Sequence, residues 1–127
     1  MYLLDSNIIL ELLLDQDRAD EVERFLRTAP RGSLHISEFS LYSVGIVLFR
    51  RKQFETFMHF LEDLIVRGGV RLLSLPFQDM KELAAAAPRF GLDFDDVYQY
   101  VVSGKHGLEI ISFDKDFDRT ERGRKTP

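Results

Sequence analysis

The chain has 127 residues, 45% of them apolar and 30% charged; this suits one domain around a single core and excludes a mainly disordered protein. It has no cysteine, which rules out disulfides, thiolate metal sites and a cysteine nucleophile. The net charge of −4 argues against nucleic-acid binding by overall basicity, although ERFLR, FRRK and the terminal RTERGRK are local basic patches.

The opening MYLLDSNIILELLLDQ looks briefly like a signal sequence. Asp5 and Glu11 interrupt its apolar run, however, and no basic residue precedes it. No stretch approaches the roughly 18 uncharged apolar residues of a membrane span, so a cytoplasmic protein without membrane contact is expected. YLLD reads as a first strand, after which Ser6 or Asn7 can cap a helix through IILELLL. Residues 16–29 place Ala19, Val22, Phe25 and Leu26 at helical spacing until Pro30 and Gly32 end the pattern. LHIS at 34–37 is a second strand, and Ser37 caps a helix to about Lys52.

Residues 53–66 carry Phe54, Phe57, Met58, Leu61, Leu64 and Ile65 on one stripe, expected to face the core and ended by Gly68 and Gly69. VRLLSL is a third strand, and Pro76 suits the first turn of a helix through FQDMKELAAAA. A helix from about Asp95 to His106 stops at Gly107, LEIIS at 108–112 is a fourth strand, and Phe113 to Phe117 form a last turn. Strands alternating with helices or helix pairs indicate an α/β fold, with a central, mostly parallel sheet flanked by helices.

In such sheets ligands collect at the carboxyl ends of the strands. Asp5 ends the first strand, Glu38 follows the second, Asp114 follows the fourth, and Asp96 opens a helix that runs down from the same edge. Four carboxylates from distant parts of the chain would therefore meet at one edge. Asp93 and Asp95 also suit helix capping, and Asp118 suits the surface. An all-oxygen set favours a hard cation such as Mg²⁺ or Mn²⁺, and ions of this kind activate water and steady the oxygens of an in-line phosphodiester cleavage. His35, His59 and His106 share no ligand spacing, so zinc is not expected. No nucleophile elbow or Walker-type glycine loop is present.

LLDSNIILELL, GLDFDDVYQYVVSGKHGLEIISFDKDFD and the order of elements resemble PIN domains, especially the VapC-like toxins of toxin–antitoxin pairs, over nearly the whole chain. The resemblance implies a three-layer PIN-like fold, Mg²⁺- or Mn²⁺-dependent ribonuclease activity, homodimer formation and inhibition by a small cognate antitoxin. By position, Asp5, Asp96 and Asp114 match the first, third and fourth acids, and Asp116 matches an accessory acid. Asn7 matches a small polar residue beside the first acid, and Ser6 would orient its loop.

The family's second acid lies six residues beyond the serine that ends the second strand. Here that position is Ser43, and Glu38 at the helix start is the candidate substitute. Glu38 also suits the helix N-terminus electrostatically. Arg50, Arg51 and Lys52, with Arg119, Arg122, Arg124 and Lys125 of the tail, are candidate contacts to the RNA backbone. Two other readings compete. One is a PIN-fold RNA- or protein-binding module that has lost activity, suggested by Ser43. The other is a phosphate-transfer protein using Asp5, disfavoured because Asn7 stands where a phosphatase needs a second aspartate.

Overall fold

The computed structural model describes residues 1–127. Four short strands form one sheet: β1 (Tyr2–Leu4), β2 (Leu34–Ser37), β3 (Arg71–Leu73) and β4 (Glu109–Ile111). Their order across the sheet is β3-β2-β1-β4, and every pairing is parallel, with Leu3 beside His35 on one flank and beside Ile110 on the other. Parallel neighbours need crossovers. These are supplied by α1 (Ser6–Leu13), α2 (Ala19–Thr28), α3 (Glu38–Arg50), α4 (Phe54–Phe60), α5 (Met80–Phe90) and α6 (Phe94–His106).

Because strand side chains alternate between faces, Leu3 and Ile110 point into one core while Leu4 and Ile111 point into the other. The first core is closed by Leu83 of α5 and by Val97, Val101 and Val102 of α6. The second is closed by Ile8 and Ile9 of α1, Val22 of α2, Val44 and Leu48 of α3, and Phe60 of α4. This is a three-layer α/β fold with an all-parallel sheet. No helix is long and apolar enough to cross a membrane.

Several expectations need correction. The cap of α1 is Asp5, whose carboxylate accepts from the Ser6 backbone N–H; neither Ser6 nor Asn7 has that role. Ser37 does cap α3, accepting from the Ser40 N–H at 3.0 Å. The 53–66 stripe is only partly core. Phe60, which lies off it, is the fully buried residue, whereas Phe54 and Met58 are about half exposed. Phe57, Leu61, Leu64 and Ile65 pack half-buried against the second core, so within α4 the inward face runs through Phe57 and Phe60 and the face carrying Phe54 and Met58 is turned outward. Beyond Phe60 the chain continues as a π-helical segment, Leu61–Arg67. Gly68 is required at its end, because a Cβ there would lie 2.6 Å from the Leu64 carbonyl oxygen.

The basic tail is a structural element as well as a charge patch. Lys125 forms a parallel bridge with Ile111, its N–H donating to the Ile110 carbonyl at 2.8 Å, while Ser112 N–H donates to the Lys125 carbonyl at 3.0 Å. The tail thereby covers the open edge of β4, a backbone edge that would otherwise be unpaired.

Candidate metal centre

The parallel sheet places the C-termini of β1, β2 and β4 along one edge, and the acids follow from that topology. Asp5 comes directly after β1, its N–H donating to the Ile111 carbonyl of β4 at 3.0 Å. Its side chain is buried, 7% exposed, and four donors converge on it. Oδ1 accepts from Ser6 N (2.8 Å) and Gln99 Nε2 (3.2 Å), while Oδ2 accepts from Ser112 Oγ (2.7 Å) and Asn7 Nδ2 (3.3 Å). Burial pushes its pKa above the ordinary value; the Ser112, Gln99 and Ser6 bonds oppose that rise, and the Asp114 charge adds to it.

Asn7 fastens α1 to the end of β4. Its amide nitrogen donates to Ser112 Oγ at 3.1 Å and its amide oxygen accepts from Phe113 N at 3.2 Å. Ser112 Oγ in turn accepts from Asp114 N at 2.9 Å, and Asp114 Oδ1 caps the following 3₁₀ turn by accepting from Asp116 N at 2.8 Å. One hydroxyl therefore ties the first acid to the loop that carries two more.

Asp96 stands in the first turn of α6 and is 7% exposed. Its carboxylate, with those of Asp114 and Asp116, forms a set whose oxygens lie within 4.8 Å of one another. Burial, then the charges of Asp114, Asp95, Asp5 and Asp116, push the Asp96 pKa up to about 7. Carboxylates gathered this closely with no cation repel, and a divalent ion would offset that repulsion. The donors are all oxygen, so they fit Mg²⁺ or Mn²⁺. Asp93, Asp95 and Asp96 also cluster, but the first two are exposed, and Asp93, although it precedes α6, makes no side-chain cap.

The second-acid position is neutral. Glu38 opens α3, half-buried, and joins neither acid cluster; Ser43, six residues beyond the cap, is also half-buried. A buried amide network fills this side instead. Gln99 Oε1 accepts from Ser37 Oγ at 2.7 Å, and its Nε2 donates to Ser40 Oγ at 2.6 Å as well as to Asp5. Gln99 and Ser112 went unnoticed in the sequence as site residues. The available signal for Gln99 was a lone amide inside the apolar run VYQYVV, one helical turn after Asp96.

The candidate RNA contacts divide by position. Arg119 lies beside the acids, pairing with Asp116 at 3.5 Å and donating to the Gly91 carbonyl at 2.7 Å. Arg122 is tied inward: it donates to the Tyr100 carbonyl and to Ser103 Oγ and lies 4.0 Å over the Tyr100 ring. Arg124 donates to the Ser112 carbonyl and pairs with Asp118, and Lys125 pairs with Glu109. Arg50, Arg51 and Lys52 lie at the far end of α3 from the carboxyl edge. A consequence concerns Arg122. Arg122→Ala should cost on the order of 1–2 kcal/mol of stability, as a lost charge-assisted bond and ring contact, with little change in RNA affinity; thermal melting beside an RNA-binding titration checks both halves.

The PIN domain profile matches residues 2–123. The chain belongs to the PIN domain family. VapC20 of Mycobacterium tuberculosis, a toxin that cleaves the sarcin-ricin loop, superposes with a TM-score of 0.84 at 17% identity, covering 100% of both chains. A toxin–antitoxin complex from Klebsiella pneumoniae superposes at 0.76 with 22% identity, over 100% of this chain and 98% of that one. VapBC2 of Rickettsia felis, bound to a fragment of its promoter DNA, superposes at 0.71 with 14% identity, over 98% and 96%. No curated protein sequence matches the chain. At these identities the likeness is one of fold, and this PIN domain carries an acidic cluster at the edge where its strands end.

Proposed function

We propose that this PIN domain is a Mg²⁺- or Mn²⁺-dependent endoribonuclease, a VapC-like toxin held in check in the cytoplasm by a cognate antitoxin. The observation that carries the reading is the convergence of Asp96, Asp114 and Asp116 beside Asp5, whose charge adds to that on Asp96. Asp96, Asp114 and Asp116 would hold the ion, with Asp5 completing the set. The ion would supply Lewis acidity to activate water and to offset charge on the phosphate. Asp5 accepts hydrogen bonds from four donors, which fix its carboxyl group in place. Ser6 and Asn7 orient it, and Arg119 is placed to meet a phosphate. Glu38 would add charge from the start of α3.

The test is titration of Mn²⁺ into the wild type, Asp5→Asn and Glu38→Gln, with a labelled RNA pool assayed alongside. Asp5→Asn should lose metal-stimulated cleavage; undiminished cleavage would sink the reading. Metal should also raise the melting temperature, by the equivalent of about 2.7 kcal/mol at about 100 times Kd. The rise should be larger at pH 8 than at pH 6, because below the Asp96 pKa of about 7 a proton competes for the site. A second reading, a PIN-fold binding module without catalysis, is favoured by the neutral residue at position 43. A wild type that shows neither metal binding nor cleavage would select it.

A further inference from the structure

The loop that carries two of the acids is gripped from outside by the tail. Asp114 and Asp116 lie between Ser112 and Asp118, and the Arg124 side chain reaches both ends of that span. Its Nη1 donates to the Ser112 carbonyl at 3.0 Å and its Nη2 to Asp118 Oδ2 at 3.2 Å. The side chain is only 13% exposed, whereas the other ion-paired arginines are 45% exposed or more. Its Nε, 3.2 Å from Asp118 Oδ1, is buried without an aligned hydrogen bond. A donor left in that state is costly, so the two terminal nitrogens and their hold on the loop set the orientation of the group. Backbone contacts lock the same corner. Ser112 N–H donates to the Lys125 carbonyl at 3.0 Å, and Lys125 N–H to the Ile110 carbonyl at 2.8 Å. With its N–H and its carbonyl both engaged by the tail, Ser112 presents its hydroxyl to Asp5 Oδ2 at 2.7 Å and accepts from Asp114 N at 2.9 Å. Residues 124 and 125 lie beyond the 2–123 span of the PIN profile, so these contacts come from outside the segment that defines the family likeness.

We infer that Arg124 is a positioning residue for the metal centre: it staples the 112–118 loop at both ends and so holds Asp114 and Asp116 at the spacing an ion needs. The inference rests on the metal-dependent ribonuclease reading. In this role Arg124 touches neither the ion nor the RNA. Arginine suits the task, because its planar fork spans a carbonyl and a carboxylate together, whereas a lysine ammonium is a single point charge. The same guanidinium also sets a fixed positive charge beside the acids, which by Coulomb's law works against a bound cation. Positioning and charge therefore predict opposite signs for its removal, and the sign decides between them.

Arg124→Met keeps the stem and removes the fork. Calorimetric titration of Mn²⁺ should show Kd rising about tenfold, the lower end of the effect of residues that orient metal ligands; loss of charge alone would lower it. Arg124→Lys, which keeps the charge and loses the span, should also bind Mn²⁺ more weakly than the wild type. In Arg124→Met, RNA cleavage should fall at limiting Mn²⁺ and recover at saturating Mn²⁺, with KM for RNA unchanged. Glu109→Gln breaks the pair that Glu109 makes with Lys125 but leaves Arg124 in place, and it should bind Mn²⁺ as the wild type does. Amide hydrogen exchange of the metal-free protein reads the loop without any activity. The Asp114 and Asp116 N–H groups should exchange faster in Arg124→Met, while the Ser112 N–H, bonded to the tail backbone, stays protected. Unchanged or tighter Mn²⁺ binding by Arg124→Met overturns the inference and leaves the ribonuclease reading standing. A raised KM for RNA with unchanged metal affinity overturns it in favour of a phosphate contact. An equal loss of protection at Ser112 assigns the effect to a detached tail and overturns it as well. A wild type that neither binds Mn²⁺ nor cleaves RNA overturns the ribonuclease reading, and this inference with it.

Discussion

Asp96→Asn is expected to abolish metal-stimulated RNA cleavage while making the metal-free protein harder to unfold. Opposite effects on activity and stability distinguish a residue held for function from one held for packing. The loss of activity should be at least about 10²–10³-fold, the scale of removing one group that stabilises transition-state charge. The stability gain follows from the raised pKa of Asp96, about 7 against an ordinary 3.8, caused first by burial and then by Asp114, Asp95, Asp5 and Asp116. Between those values the folded state holds a proton that the unfolded state has released, so the stability of the metal-free wild type falls as pH rises from about 4 to about 7 and then levels. An amide carries no such charge. At pH 8 the variant should gain on the order of 1–3 kcal/mol, less than the full shift would give because solvent in an open site screens the neighbouring acids. At pH 4.5 the two proteins should melt together. Urea denaturation at both pH values in the presence of a chelator measures this, and a variant less stable than wild type at pH 8 would show that Asp96 is structural.

How legible the site was depended on what kind of constraint placed each residue. The alternation of strands with helices, the caps at Ser37 and Gly107, and the expected meeting of Asp5, Asp96 and Asp114 at one edge all follow from local punctuation and the geometry of parallel crossovers, and the structure bears out the fold. The 53–66 stripe was read only in part because spacing marks a broad apolar face without saying which side of it the core covers: Phe57, Leu61, Leu64 and Ile65 pack inward, and Phe54 and Met58 do not. The contacts of the basic tail were not legible because composition records that Arg122 and Arg124 are charged but not what they touch. A guanidinium turned onto Tyr100 or the Ser112 carbonyl has the same letter as one facing solvent. Gln99 was missed for a related reason: a buried amide becomes informative only when its partners are known, and its partners Ser37, Ser40 and Asp5 lie about 60 and 94 positions away. Long-range hydrogen bonding leaves little trace in a single sequence.

Gln99 carries the other large effect. It is 2% exposed, and its amide donates to both Asp5 and Ser40 while accepting from Ser37. Gln99→Glu keeps the volume and replaces the donor with an acceptor, putting a second carboxylate oxygen where Nε2 stands 3.2 Å from Asp5 Oδ1. Two buried anions at that separation cannot both stay ionised, so one holds a proton well above its ordinary pKa. A raised carboxyl pKa in the folded state contributes stability at low pH that disappears as pH rises. The variant should therefore lose about 3–5 kcal/mol at pH 8, the range for an uncompensated buried charge, and recover most of it at pH 5. Gln99→Met removes the hydrogen bonds without adding charge; it should lose only about 1–3 kcal/mol, with no such pH dependence. Urea midpoints of the two variants at pH 5 and pH 8 separate charge from hydrogen bonding. If Gln99→Glu matched the wild type at pH 8, Asp5 would be shown to tolerate an anionic neighbour, and the neutrality of this side of the site would lose its electrostatic explanation.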